Sequence, residues 1–174
     1  MDLAEVASKT NSSSSRSELE QLYLDMAATF SGPVRCKVPV AAAVQGHAIA
    51  GGLILPVACD FMALKTDSYK LGLTEFRVGV PFPPLIYDIL KHRIPPRGLR
   101  KLTQSADLFT AEEAYEFGVG DLMCEDPLEE ADKWLGHVTS FPSHAFQQTK
   151  KYEWDSILTK QVKLEFHNVS SAIV

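Results

Sequence analysis

Apolar positions along this chain recur with more than one pattern, and the changes between patterns mark out its elements. From Ser17 to about Phe30, the residues Leu19, Leu22, Tyr23, Met26 and Phe30 return at helical spacing. Ser17 is placed to cap the first turn, and Ser31-Gly32-Pro33 to end the helix. The run Val38-Pro39-Val40-Ala41-Ala42-Ala43-Val44 is continuously apolar, which suits a strand buried on both faces. Gly46 begins a turn, and Ala50-Gly51-Gly52 opens a helix that reaches about Ala58. Asp60-Phe61-Met62-Ala63-Leu64 predicts a second strand and Tyr69 to Gly72 a short third one. Pro83-Pro84 starts a helix through Leu90, and a further helix runs from Pro96 to Thr103. Thr110-Ala111-Glu112-Glu113 is a helix start with acids in the first turn, closed by Gly118, and Val119 to Met123 reads as strand. From Pro127 onward the chain reads as helices with a break at Pro142, while Thr10 to Arg16 is a polar loop. Strands alternating with helices argue for an α/β fold, and no repeat of fixed period is visible.

Composition narrows the partners. The 174 residues carry a net charge of −5, with 45% hydrophobic and 22% charged residues, which is ordinary for a folded domain and excludes a disordered or collagen-like chain. An acidic chain without clustered Lys/Arg is a poor match for nucleic acid or anionic lipid. The apolar stretch from Val38 to Ala58 contains Gln45, His47, Pro39, Pro56, Gly46, Gly51 and Gly52, so it reads as strand, turn and helix and not as a membrane span. Met1-Asp2-Leu3-Ala4-Glu5 is acidic from its second residue, unlike a secretory or transit peptide, and Ser171-Ala172-Ile173-Val174 is not the peroxisomal Ser-Lys-Leu address. The residues thus imply an intracellular setting and leave mitochondrion, peroxisome and cytoplasm open. Cys36, Cys59 and Cys124 are too few and too scattered for a disulfide framework or a Cys-rich zinc site; they read as reduced thiols, two of them buried. His47, His92, His137, His144 and His167 have no metal-ligand spacing, and no metal is expected. His47 reads as a turn residue capping backbone, Asp60 as structural, Trp134 and Trp154 as packing anchors. Lys150-Lys151 reads as surface charge, with a role at phosphates as the weaker alternative.

Two stretches stand apart from core packing. Gly46-His47-Ala48-Ile49-Ala50-Gly51-Gly52 lies between a buried strand and a helix, where glycines allow close backbone approach and the first helical amides lack partners. Such a place suits an anion or a developing oxyanion. On its own the pattern reads as a tight strand-to-helix turn without a ligand, because two adjacent glycines are a weak signal, and it has neither dinucleotide nor Walker spacing. Glu75, in Gly72-Leu73-Thr74-Glu75-Phe76, sits among apolar residues. It is a surface carboxylate at a strand end, or, if it faces an apolar cleft, a base whose pKa burial raises.

Together these segments resemble the crotonase (enoyl-CoA hydratase/isomerase) superfamily. The matching text is Lys37 to Ala48, Ala50-Gly51-Gly52, Ala58-Cys59-Asp60, Lys70 to Glu75 and Ala111-Glu112-Glu113-Ala114 through Phe117-Gly118-Val119. The resemblance implies a crotonase-type ββα spiral over residues 1–125, incomplete at its N-terminus because Met1-Asp2-Leu3 looks like the end of the family's first block. It implies a helical oligomerisation region over 126–174, in a homotrimer or hexamer. It makes Gly51 the backbone oxyanion donor and Glu75 the catalytic acid/base. Ala50, Gly52, Ile54, Pro81 and Phe82 would line the substrate, an acyl-CoA thioester that brings its own coenzyme A, so no separate cofactor is implied. Ile54 occupies the place of the hydratases' second carboxylate and cannot activate water. That departure, with Pro81-Phe82-Pro83, points to Δ3-to-Δ2 enoyl-CoA isomerisation. The rivals are enoyl-CoA hydration and an inactive acyl-CoA-binding or oligomer-partner protein.

Overall fold

The stretch Ala41 to Val44 starts a repeating strand–strand–helix path, but it is not buried on both faces as its apolar run suggests: Ala41, Ala42 and Ala43 are half-buried and only Val44 is buried, because the strand lies at the edge of its sheet. The computed structural model describes residues 13–159. In chain order it holds α1 (Ser13–Phe30), the short α2 (Gly32–Arg35), β1 (Ala41–Val44), β2 (Ala48–Ile49), α3 (Gly51–Val57), β3 (Phe61–Lys65) and β4 (Lys70–Gly72). A 3-10 turn (Glu75–Val78) leads to α4 (Pro84–Arg93), α5 (Pro96–Ser105), β5 (Phe109–Thr110), α6 (Ala111–Glu116), β6 (Leu122–Cys124), α7 (Pro127–Thr139) and α8 (Ser143–Leu158). The strands form two three-stranded sheets, β1-β3-β6 and β2-β4-β5. The chain visits the first sheet, then the second, then a helix: β1, β2, α3, followed by β3, β4 and the helices after them. This is the ββα spiral.

One device fixes the strand register in the first sheet, and it occurs twice. Asp60 stands just before β3, donates its amide to Val40 O at 2.8 Å, and accepts the Val40 amide on its carboxylate at 2.8 Å. Asp121 stands just before β6 and makes the same reciprocal pair with Met62, 2.8 Å in each direction. A carboxylate next to the main-chain amide of the neighbouring strand satisfies a donor that would otherwise be left open where the ladder begins. Arg93, at the end of α4, reaches Val57 O at 3.3 Å, Asp60 O at 3.3 Å and Asp121 Oδ2 at 3.5 Å, and so links both positions.

The core lies between the sheets and helices α3, α4 and α5. Leu53, Met62, Leu64, Leu71, Leu73, Ile86, Ile89, Leu90 and Leu102 are fully buried there. α7 covers β1 and β3, with Trp134 stacked on Phe61 at 5.1 Å and 9°. Such a pair contributes roughly 0.5–1.5 kcal/mol beyond its buried area. α8 packs on α4, where Trp154 is 2% exposed and meets His92 at 4.6 Å. Both tryptophans are packing anchors, as expected. Thr110 and Glu113 form a full capping box at the start of α6. Asp126 caps α7 through the amides of Leu128 and Glu129.

Several expectations need correction. The first helix begins at Ser13, inside the stretch read as a polar loop; local polarity does not stop a helix that continues into an apolar-periodic segment. β1 begins at Ala41, and Val38 is 59% exposed, because Pro39 cannot donate to a ladder. The short strands β2 and β5 and the 3-10 turn are not legible in the sequence, being too brief for periodicity to register. Of the thiols only Cys59 is buried; Cys124 is half-buried and Cys36 exposed. Lys150 is not surface charge. It is 5% exposed, and its ammonium group bonds Asp60 Oδ2 at 2.6 Å, Pro33 O at 2.8 Å and Val38 O at 3.5 Å. Those partners occupy its donors, so phosphate binding by Lys150 is overturned as well. The Met1-Asp2-Leu3 segment and His167 lie outside the described residues, as do the side chains of Leu19, Leu22 and Tyr23. No helix among the described residues is long and apolar enough to cross a membrane.

Candidate active site

The site is set by two parallel strands that end together. β2 pairs with β4 in parallel, Ala48 opposite Leu71 and Ile49 opposite Gly72, and Ala50 N donates to Gly72 O at 2.8 Å. Both chains therefore leave the second sheet at the same end. One turns at once into α3 with Gly51 and Gly52. The other runs through Leu73 and Thr74 to Glu75, the first residue of the 3-10 turn.

At the start of α3 the Ala50 carbonyl accepts the amides of Leu53 at 2.9 Å and Ile54 at 3.2 Å. The Gly51 and Gly52 amides come before these and have no intrahelical acceptor. Ala50 itself sits at φ 53°, ψ −128°. That region is natural for glycine at the first corner of a II′ turn and strained for alanine, at about 1–3 kcal/mol. The strained corner sets the direction of the next amide, that of Gly51. Phe30, the last residue of α1, lies against Gly51: a Cβ added there would meet the ring's Cζ at 2.6 Å. A side chain at residue 51 would have to displace the Phe30 ring. Replacing Ala50 with Gly is expected to raise stability by about 1 kcal/mol, the relieved strain outweighing the added freedom of the unfolded chain. Chemical denaturation of both proteins measures this.

Glu75 is half-buried, and its Oε2 is buried without a hydrogen-bond partner among the described residues. Burial pushes its carboxyl above the ordinary value of 4.5, opposed weakly by a backbone hydrogen bond. Ionisation is disfavoured in the fold, so the contribution of this group to stability is present below the unfolded pKa and is lost as pH rises through the folded one. A base of this kind works only when ionised. The acid limb of any reaction it drives is expected to lie above 4.5, and a pH–rate profile checks this.

The other expected site residues fall into two groups. Ile54 is 3% exposed and belongs to the main core, so its position offers a closed apolar wall. Pro81 is exposed, and Phe82 is half-buried against the core. His47 accepts the Lys70 amide on Nδ1 at 3.0 Å, the backbone-capping role read from the sequence. A groove of about 450 Å³ runs along β1 and the turn at 45–47, with Gly52, Leu55, Pro56 and Cys59 of α3 and its end as the other wall. It reaches Gly52 but not Glu75. β1 is at the edge of its sheet, which leaves this side of the strand open among the described residues. Burial pushes the Cys59 thiol up to about 11, so it presents an unreactive wall.

The sequence model of the enoyl-CoA hydratase/isomerase family matches residues 1–173. The chain belongs to that family. Among its relatives are (E)-benzylidenesuccinyl-CoA hydratase of Thauera aromatica, 30% identical over 73% of this chain and 49% of that protein, and human mitochondrial enoyl-CoA delta isomerase 1, 30% identical over 62% of this chain and 37% of that protein. The chain therefore spans about half the length or less of these two relatives. The crystal structure of human mitochondrial delta3-delta2-enoyl-CoA isomerase superposes with a TM-score of 0.75 at 23% identity, over 85% of this chain and 58% of that one. A family protein from Hyphomonas neptunium superposes with a TM-score of 0.76 at 22% identity, over 97% of this chain and 64% of that one. These likenesses establish the crotonase fold. The enoyl-CoA hydratase/isomerase family contains both relatives named hydratase and relatives named isomerase, so membership leaves the reaction open.

Proposed function

We propose that this family member shifts the double bond of an enoyl-CoA thioester from Δ3 to Δ2, with Glu75 as the only acid/base and the Gly51 amide as an oxyanion donor. The observation that carries the reading is the carboxylate oxygen of Glu75, buried and without a partner among the described residues, on a segment that leaves the second sheet at the same end as α3, whose first amides lack an intrahelical acceptor. In the reaction, ionised Glu75 takes a proton from C2 of the 3-enoyl thioester. The electron pair spreads from C2 into the thioester carbonyl and through the former C3–C4 double bond. The Gly51 amide donates to the oxygen on which negative charge grows, which acidifies C2. Glu75, now protonated, returns the proton to C4. One C–H bond breaks, one forms, and the double bond lies between C2 and C3. The groove beside α3 offers room for the extended arm of coenzyme A.

Isomerisation is favoured over hydration by Ile54. Adding water requires a second polar group to hold and activate it, and residue 54 is apolar and closed to solvent. Parallel assays on 3-enoyl-CoA and 2-enoyl-CoA test the choice. The expected result is double-bond migration with hydration slower by about a hundredfold or more. Hydration at a comparable rate overturns the isomerase reading. Binding of both thioesters with turnover of neither favours an inactive acyl-CoA-binding protein. A homotrimer or hexamer is proposed for the assembled protein, and sedimentation measures it.

A further inference from the structure

Among the described residues β1 has one strand neighbour, β3, and its other edge is open. Val40, just before β1, gives its amide to the Asp60 carboxylate and takes the Asp60 amide on its carbonyl. Main-chain groups of successive residues in a strand point to opposite sides. Ala42 therefore faces β3 as Val40 does, and Ala41 and Ala43 turn their amides and carbonyls to the open edge. The groove of about 450 Å³ lies there, and every residue from Ala41 to Ala48 lines it. Side chains of a strand alternate between its two faces, so a wall of consecutive residues is the main-chain edge itself. The opposite wall is apolar, and Leu55 in it is 41% exposed. A slot with open main-chain groups on one side and apolar side chains on the other fits an extended peptide whose apolar residues stand at alternate positions.

The chain itself carries one such sequence. Val162-Lys163-Leu164-Glu165-Phe166-His167, past α8 and outside the described residues, alternates strictly between apolar and polar. The other end of the chain does not, its Leu3 and Val6 standing three apart. We propose that Val162 to His167 adds to the open edge of β1 as a neighbouring strand. Val162, Leu164 and Phe166 then cover Leu55 and Pro56, and Lys163, Glu165 and His167 face away from α3. The tether is long enough. Lys150 ties α8 to Val38, three residues before β1, and the helix from there to its end spans about 14 Å. The extended chain from Lys160 to His167 covers up to about 27 Å and can return that distance. The added strand takes the part of the groove beside Ala41 to Ala43, where Cys59 adjoins the Asp60–Val40 pair. The part at residues 45–48 and Gly52 stays open for the coenzyme A arm.

Amide hydrogen exchange of the whole protein, followed by NMR, tests this. The Ala41 and Ala43 amides are expected to exchange at least about a hundredfold more slowly than in an unstructured peptide. In the double variant Leu164→Asp, Phe166→Asp that protection is expected to fall at least about tenfold, with the Ala42 amide, which faces β3, unchanged. In the native protein, NOE contacts are expected between main-chain protons of residues 162–167 and those of residues 41–44, and their absence overturns the inference whatever the variant does. Free exchange at Ala41 and Ala43 in the native chain also overturns it. So does protection that survives in the variant, which would mean that a second copy or another segment covers the edge.

Discussion

Glu75→Gln is expected to lower the rate of 3-enoyl-CoA isomerisation by about a hundred- to ten-thousandfold, with KM changed only a few-fold. The substitution keeps the size and polarity of the side chain and removes its ability to take and return a proton. The loss therefore falls on the transition state, where the proton is in flight, and hardly on ground-state binding. No backup is expected from residue 54: by the family resemblance it stands where the hydratases carry a second carboxylate, and here it is an isoleucine that is buried. Steady-state kinetics on the native protein and the Glu75→Gln variant measure it. A parallel fall in KM and kcat would mean that Glu75 shapes the ground state instead.

Lys150→Met is expected to destabilise the fold by about 3–5 kcal/mol, the typical result of leaving one member of a buried ion pair alone. The Lys150 ammonium and the Asp60 carboxylate are 5% and 12% exposed and 2.6 Å apart. Lys150 also fastens the carbonyls of Pro33 and Val38, so one side chain of α8 ties the C-terminal helix to the segment that leads into β1. Removing it strands the Asp60 charge, with the Val40 amide still donating to it, in a place that water reaches poorly. Urea unfolding of the native protein and the variant gives the loss. In the double variant Asp60→Asn, Lys150→Met, the stranded charge is gone, and at least half of the loss is expected to return. Equal losses in single and double variants would show that packing of the lysine stem, and not the pair, carries the stability.

The legibility of this fold in its sequence follows physical lines. Helices with a proline at their start, such as those opening at Pro84, Pro96 and Pro127, announce themselves because proline is accepted in the first turn of a helix and not within it. β2 and β5 do not, because two residues cannot show a period; they form only where β4 offers a ladder. The burial of Lys150 is hidden for a related reason. A lysine next to a second lysine on a polar helix looks like surface, and its partner Asp60 is distant in sequence. The signal is present in Asp60 and Asp121, each placed immediately before an apolar strand, but it is recognisable only once the spiral brings β1, β3 and β6 side by side. At the site, Gly51 and Glu75 can be named from family-like text and from the chemistry of amides and carboxylates. The strained corner at Ala50 and the ring of Phe30 against Gly51 cannot, because an alanine does not announce a positive φ and Phe30 lies in a different helix.

The most direct measurement places a 3-enoyl-CoA with the native protein and the Glu75→Gln variant in heavy water and follows C2 and C4 by proton NMR. The native protein should move the double bond, with hydrogen lost from C2 and gained at C4, while the variant should move the bond and exchange hydrogen at C2 at least about a hundredfold more slowly. Exchange at C2 by the variant at the native rate would contradict the account, because some other group would then be taking the proton.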